Sequence, residues 1–475
     1  MARRPPRWPP RGMLVSAANI AGHIASNDWR VGRLIRPARL SLCVALALSA
    51  ALPQTASAAA APAPAAPAAR GETLDNFYAG RGYRPLWFGN FGGSDEAPFL
   101  LIDLWRSARV DGLDPDRYRS RNLDRAVRAA RSGNPDDIQR ADRMLSQAFV
   151  AYVSDLKRTP KIEMIWVDDE LRPSAPSPRR LLESAASAPS LEQYLIEMPW
   201  MNPIYAGLRQ ALANGADTNR MERDLLRLNL ERARALPAAN GKYVIVNATA
   251  ARLTMHEDGR IVDSMRVVVG RPVHSTPMMA ALIRFTSLNP YWNVPADLAA
   301  ERIAPKVVKG GSVYLKAEGY QLLAGWDDNA KVISPATVDW AAVASGHTRV
   351  RLRQLPGPTN SMGKMKFMFP NAQGIYLHDT PQKELLGEET RMFSGGCVRL
   401  EDAPRLARWL YGGKTPTTKS SRPEQRVDLP KPVPVFLTYL TAIPSGGGVA
   451  YLPDVYNRDR AALALLDDGR TLASR

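Results

Sequence analysis

Beyond residue 58 the chain holds one cysteine, Cys397, in the string Ser394-Gly395-Gly396-Cys397-Val398-Arg399-Leu400. Sulfur attacks as the thiolate, and an ordinary cysteine is ionised to only a few per cent at neutral pH. A histidine within reach can take the proton. His378 lies nineteen positions upstream, in Gly374-Ile375-Tyr376-Leu377-His378-Asp379-Thr380-Pro381. A Cys and a His that meet in space are the minimum kit for acyl transfer through a thioester. Gly395 and Gly396 let the backbone approach a carbonyl, and the N–H groups of Gly396 and Cys397 could hold an oxyanion, with Ser394 in the same loop. Arg399 is placed to steady that loop or to bind a substrate carboxylate. A helix expected over Glu401–Leu410, with acidic residues early and Pro404 in its first turn, would turn its positive end toward the thiolate.

The thiol stands out because of where the chain is expected to work. Residues 1–39 are rich in Arg and Pro and contain no Lys or Glu. Leu40–Leu52 is an apolar run of 13 residues, well short of the roughly 20 that span a membrane. Ala56-Ser57-Ala58 follows as a cleavage site, so residues 1–58 read as a secretory signal peptide that carries away Cys43. The protein touches a membrane only if that segment is retained. Exported proteins usually pair their cysteines or have none, so a lone one is a candidate nucleophile. The formal charge of +17 includes +7 from residues 1–58. The rest suits an anionic wall or lipid surface as well as Arg-rich codon usage. Nucleic acid is excluded as a partner by export and by the absence of zinc-finger or RNA-binding motifs.

The elements that must position this chemistry fall into two halves, giving an α+β fold. Residues 59–71 are an Ala/Pro linker. Residues 72–238 read as an all-helical domain, with helices over Asp136–Leu156, Leu191–Glu197, Ile204–Ala213 and Arg220–Ala235, and prolines such as Pro178 and Pro203 in the loops. Residues 239–460 read as a β-rich domain. Its expected strands are Lys242–Asn247, Ala251–Met255, Arg260–Val269, Ala281–Ser287, Gly374–His378 and Val433–Ala442, with a hairpin turn at Asp258-Gly259. Inside it, Pro295–Asn360 is a long polar and mixed insertion of the kind that forms lids. Residues 461–475 are a tail.

His378-Asp379-Thr380 together with Ser394–Leu400 resembles the signature of the L,D-transpeptidases. Asn289–Pro295, Lys366–Asn371, Tyr439–Tyr456 and, in the helical half, Tyr83–Trp87 and Asn229–Arg232 resemble the large, scaffold-bearing members of Gram-negative bacteria. The resemblance covers roughly residues 72–460. It implies a periplasmic enzyme acting on peptidoglycan stem peptides. Cys397 would attack the carbonyl of the third stem residue, expel D-alanine, and pass the acyl group to an amine on another stem as a 3→3 cross-link. An outer-membrane protein or lipoprotein is another possible acceptor. His378 would be the base, with a backbone carbonyl as its orienter more often than Asp379. Tyr376 and Trp292 would line the cleft beneath a lid over residues 295–360. Many relatives carry His where this chain has Gly395. The peptidoglycan-binding module that large relatives often insert is missing. A hydrolase of the same stems and a non-enzymatic wall-binding scaffold are the alternatives.

No metal and no cofactor is implied: His256, His274 and His347 lack ligand spacing and read as structural or surface residues. The glycine-rich segments at Gly92, Gly310 and Ser445–Gly448 read as loops, not phosphate cradles. Tyr83, Trp87 and Phe88 read as core. Papain-like and caspase-like signatures are absent, and thioredoxin-type redox chemistry lacks a second thiol.

Overall fold

The computed structural model describes residues 72–89, 94–119, 121–215, 219–327, 329–418 and 420–473. The expected signal peptide with Cys43 and the expected Ala/Pro linker lie outside them. Residues 72–233 form eight helices among the described residues: α1 (Leu74–Gly80), α2 (Ala97–Arg106), α3 (Arg121–Ala130), α4 (Pro135–Leu156), α5 (Pro178–Ala186), α6 (Leu191–Glu197), α7 (Pro203–Ala213) and α8 (Arg220–Ala233). Side-chain caps start most of them. Asn134, Ser177, Ser190, Asn202 and Asn219 each accept a backbone N–H of the first turn of α4 to α8, satisfying donors that the helix cannot pair internally. Pro178 and Pro203, expected in loops, are instead the first residues of α5 and α7, where a missing N–H costs nothing. Trp87 and Trp105 are fully buried in the helical core, but Tyr83 is 53% exposed, because the chain turns there with φ at +59°.

The second half is strand-rich, giving the α+β fold. Its main sheet contains β1 (Ile165–Trp166), β2 (Lys242–Asn247), β3 (Arg252–Glu257), β4 (Arg260–Gly270) and β5 (Met279–Leu288). β6 (Trp292–Val294) follows just before the insertion, which contributes β7 (Tyr320–Leu323), β8 (Val332–Ile333) and β9 (Arg351–Gln354). The main sheet resumes with β10 (Met365–Met368), β11 (Leu377–His378), β12 (Met392–Ser394), β13 (Val398–Leu400) and β14 (Gln425–Thr438). The order β5-β10-β11-β13-β4-β3-β2-β14 closes on itself, because β14 pairs with both β2 and β5. A closed sheet leaves few open edges.

Several expected boundaries move. β11 is two residues long instead of five, because Asn371 holds the preceding turn by bonding Ile375 through both backbone groups. β14 begins at Gln425, and its register shifts between Asp428 and Val433. Pro430 and Pro432 fall in that shift, where no ladder N–H is needed. The strand stops at Thr438, and a separate hairpin of β15 (Ala442–Ser445) and β16 (Gly448–Tyr451) follows. The expected tail is a helix, Asp459–Ala473. Its buried Asp459 accepts from Arg232 of α8 at 2.6 Å, so the start of this helix is held by the helical half.

The two halves also share a strand. β1, which lies within the helical half of the sequence, pairs in parallel with β5. The insertion is no loop. Strands β6-β9-β7-β8 form their own sheet, and Leu298, Ile303, Val307, Leu322, Val343 and Leu352 bury a separate small core. These apolar residues are spread over short elements and gather only in three dimensions.

Candidate active site

Strand register brings the predicted residues together. β11 and β13 pair in parallel, with Leu377 opposite Val398 and His378 opposite Arg399. The N–H of Val398 donates to Tyr376 O at 2.9 Å, continuing the ladder back to Cys397. Side chains alternate along a strand. Leu377, Val398 and Leu400 therefore enter the core with no exposure, while Tyr376, His378, Cys397 and Arg399 share the other face. β10 lies antiparallel on the far side of β11 and sets Lys366 opposite His378. Lys366, His378 and Arg399 form a row across three strands.

That row floors a cleft of about 360 Å³, lined also by Trp292, Tyr376, Ser394, Gly395 and Cys397. His378 is 2% exposed, and Cys397 keeps partial exposure to the cleft. The insertion supplies the opposite wall through Asp297, Leu298 and Arg302. Arg302 sits in a π-helical turn, Ala299–Ile303, a form frequent at functional sites. Its guanidinium donates to Phe393 O at 2.9 Å, and Glu301 pairs with Arg271 at 2.6 Å and accepts from His274 at 2.9 Å. The insertion is thus tied to the strand-rich body beside the thiol. A second cavity of about 400 Å³ shares Trp292, Arg302, Ser361 and Arg399 with the first and adds Lys306 and Tyr314.

His378 is oriented through Nδ1, which donates to Asp379 O at 2.5 Å. The orienter is therefore a backbone carbonyl. The Asp379 carboxylate works behind it, accepting from Lys364 N at 2.9 Å and Lys383 Nζ at 2.8 Å. Lys383 Nζ also donates to Leu400 O and Glu401 O, which fastens the His378 turn to the end of β13. Gly363, at φ +61°, lies against that carboxylate, where a Cβ would overlap it.

The Cys397 loop corrects two expectations. The Gly396 N–H donates to Ser394 Oγ at 3.1 Å, and Ser394 Oγ donates to Cys397 O at 2.6 Å. Gly396 is therefore occupied as a donor, and Ser394 braces the loop. The Cys397 N–H has no acceptor among the described residues, so it alone of the two remains open to an oxyanion. The helix that was expected just after the thiol starts only at Ala403, beyond the whole of β13, and its first turn is capped by Asp402. Its positive end is not next to sulfur. Gly395 has a local reason to lack a side chain: a Cβ there would come 2.8 Å from Leu298 Cδ1 of the insertion.

Burial dominates the electrostatics. It pushes the Cys397 thiol up to about 11, against the smaller pull of the Tyr376 backbone N–H, Arg399 and Lys366. It holds His378 down at about 3, aided by the Arg399 charge. Thiol and imidazole both rest neutral in the same cleft, and the thiol donates to Gly374 O at 3.5 Å. Arg399 itself is lowered to about 10 by burial and by Arg302. Its Nη1 donates to Gln382 Oε1 at 2.6 Å, its Nε is unpartnered, and no carboxylate forms an ion pair with it among the described residues. Lys366 and Arg302 were not singled out from sequence. The only signal for Lys366 was its place in Lys366–Asn371, at an even position on a strand whose register is set by distant residues.

No described helix is long and apolar enough to cross a membrane, and no three described His, Cys, Asp or Glu side chains cluster to hold a metal.

The sequence matches the scaffold-domain family over residues 72–212 and the L,D-transpeptidase catalytic-domain family over residues 241–428. A curated Haemophilus influenzae protein, whose name gives L,D-transpeptidase as a provisional assignment, is 28% identical over 400 residues, 82% of this chain and 78% of that one. Among solved structures, an L,D-transpeptidase from Mycobacterium smegmatis is 14% identical, over 42% of this chain and 58% of its own, with a TM-score of 0.20. L,D-transpeptidase 3 from Mycobacterium tuberculosis is 13% identical, over 43% and 66%, with a TM-score of 0.21. The chain thus spans less than two thirds of either solved structure.

Proposed function

We propose that this chain, which matches the scaffold-domain family over residues 72–212 and the L,D-transpeptidase catalytic-domain family over residues 241–428, is a peptidoglycan acyltransferase with Cys397 as nucleophile and His378 as base. The observation that carries this reading is the strand register. It gathers Cys397, His378, Arg399 and Lys366 on one face of one cleft, with His378 held by the Asp379 carbonyl.

The reaction follows from that placement. The Cys397 proton passes to His378 as sulfur bonds to the carbonyl carbon of the third stem residue. The carbon–nitrogen bond to D-alanine then breaks, and the imidazolium returns its proton to the departing amine. A stem amine attacks the thioester, giving up its proton to His378, and the C–S bond breaks to restore the thiol. The Cys397 N–H faces the oxyanion. Arg399, charged and without a carboxylate partner, receives a substrate carboxylate, and Trp292 and Tyr376 line the peptide. Because both groups rest neutral, the proton moves as sulfur attacks, and filling the cleft keeps water from the thioester.

Residues 295–360 serve as the lid, and the adjoining cavity gives the acceptor a second way in to the same carbonyl. The acceptor is another stem or an envelope protein or lipoprotein amine. Export to the periplasm rests on residues 1–58, and wall targeting rests on the cleft and the basic surface.

The test is product analysis by mass spectrometry after purified protein meets tetrapeptide muropeptides. The expected products are D-alanine and 3→3 dimers, with none from Cys397→Ala. Tripeptide without dimers would make it a hydrolase, and unchanged dimers from Cys397→Ala would remove the nucleophile.

A further inference from the structure

A cavity in the helical half takes no part in the chemistry above. Its volume is about 730 Å³, and it lies where the end of α4, α5, α6 and the segment before α7 meet residues 238–240. Lys157 lines it. Lys157 is the C-cap of α4, and a cation suits a helix C-terminus. That accounts for the residue type but not for its burial. The residue is only 8% exposed. Its ammonium has no counter-ion and no hydrogen-bond partner among the described residues, and burial alone shifts its pKa, down to about 8. Buried charges in proteins are normally paired.

The remaining walls are built for a polar end on an apolar body. Trp200 and Tyr194 supply aromatic surface, and the Tyr194 hydroxyl meets Ser184. Arg180, with its side chain largely exposed, and Glu72 also line the cavity and lie 3.6 Å apart as an ion pair. We propose that this cavity binds the free carboxylate end of a short peptide, with the carboxylate on Lys157 and the adjoining residue against Trp200. The carboxylate supplies the counter-ion that the fold omits, and a cavity of this size is in the range of roughly 300–1,000 Å³ that holds small ligands. Because Arg180 is offset by Glu72, Lys157 is the cation that receives the carboxylate, and the Tyr194 and Ser184 hydroxyls can meet the peptide amide. The site is separate from the thiol and does not depend on the reaction there.

The test uses the full chain with Cys397→Ala, so that nothing turns over. It is titrated by calorimetry with N-acetyl-D-alanyl-D-alanine and with the same dipeptide as its C-terminal amide. The acid should bind at least tenfold more tightly than the amide. Lys157→Met should bring the acid to the level of the amide, whereas Arg399→Met, which removes the cation of the catalytic cleft that has no carboxylate partner among the described residues, should leave that difference in place. A second measurement does not need the Lys157→Met variant to fold. With ¹³Cε-labelled lysine, the Lys157 resonance, assigned with Lys157→Arg, should titrate near pH 8. The acid should raise that midpoint by at least one pH unit and the amide should leave it unmoved. Equal binding of acid and amide, loss of the difference in Arg399→Met instead of Lys157→Met, or an unmoved Lys157 midpoint would each overturn the proposal. None of these results bears on the muropeptide products, so the two readings fail separately.

Discussion

Alkylation of Cys397 by iodoacetamide should rise with pH from 6 to 10 without a plateau. The thiol is held near 11 and the imidazole near 3, so no thiolate–imidazolium pair forms in the empty cleft. Each pH unit below 11 makes the thiolate tenfold rarer. Against an ordinary thiol at 9.0, the two-unit rise leaves about 100-fold less thiolate at pH 7. A thiolate of higher pKa is the better nucleophile, with a Brønsted slope of about 0.4–0.5, which returns about six- to tenfold. The net rate should be about tenfold below that of a small-molecule thiol before steric shielding. Arg399 and Lys366 both pull the thiol down, so Arg399→Met and Lys366→Met should slow alkylation further at fixed pH. Peptide mapping of Cys397 over a time course gives the rates. A plateau between pH 4 and 8 would mean a preformed ion pair and refute the reasoning. It would also remove the need for substrate to drive the proton transfer.

Cys397→Ala should abolish turnover while changing stability by no more than about 1 kcal/mol, since the loop is braced by Ser394 and sulfur adds only a long bond of 3.5 Å to Gly374 O. Chemical denaturation beside the product assay checks both halves. Gly395→Ala should cost about 1 kcal/mol by crowding Leu298, and Leu298→Ala should relieve that cost, so the double-mutant cycle should show coupling; strict additivity would exclude the contact. His256 is buried and held at about 4, below its unfolded value of 6.5. The unfolded chain therefore binds more protons in that window. The stability His256 contributes is present above pH 6.5 and is lost as pH falls toward 4, to about 3 kcal/mol. His256→Gln should flatten this dependence in urea titrations. A carbapenem should form a one-to-one adduct on Cys397, seen by intact mass, and the adduct should be lost or greatly slowed in His378→Ala. An equal adduct on that variant would sink the Cys–His mechanism.

Cys397 and His378 could be read from the sequence because their evidence is local: a lone thiol in a glycine-framed string and a histidine at the end of an apolar run. The long helices were legible for the same reason, since periodicity and Asn or Ser caps act within a few residues. Lys366 was not legible as a site residue. It joins the row only because β10 pairs with β11 in one register, and that register is set by contacts across the closed sheet. The spent N–H of Gly396, the distance of the Ala403–Leu410 helix from sulfur and the contact of Gly395 with Leu298 depend on where chains separated in sequence meet. So does the fold of the insertion, whose core residues follow no single period. The pKa values were the least accessible. Motif reasoning expects a thiolate helped by its neighbours, but desolvation by the whole surrounding structure outweighs those neighbours and leaves the pair neutral. The sequence by itself pointed to Cys397 and His378 as the candidate reacting pair and to the long helices of the first half. Tertiary structure decided the protonation state in which that pair waits, the cations beside it, and the buried lysine of the scaffold, because register and solvent exclusion are properties of the folded chain.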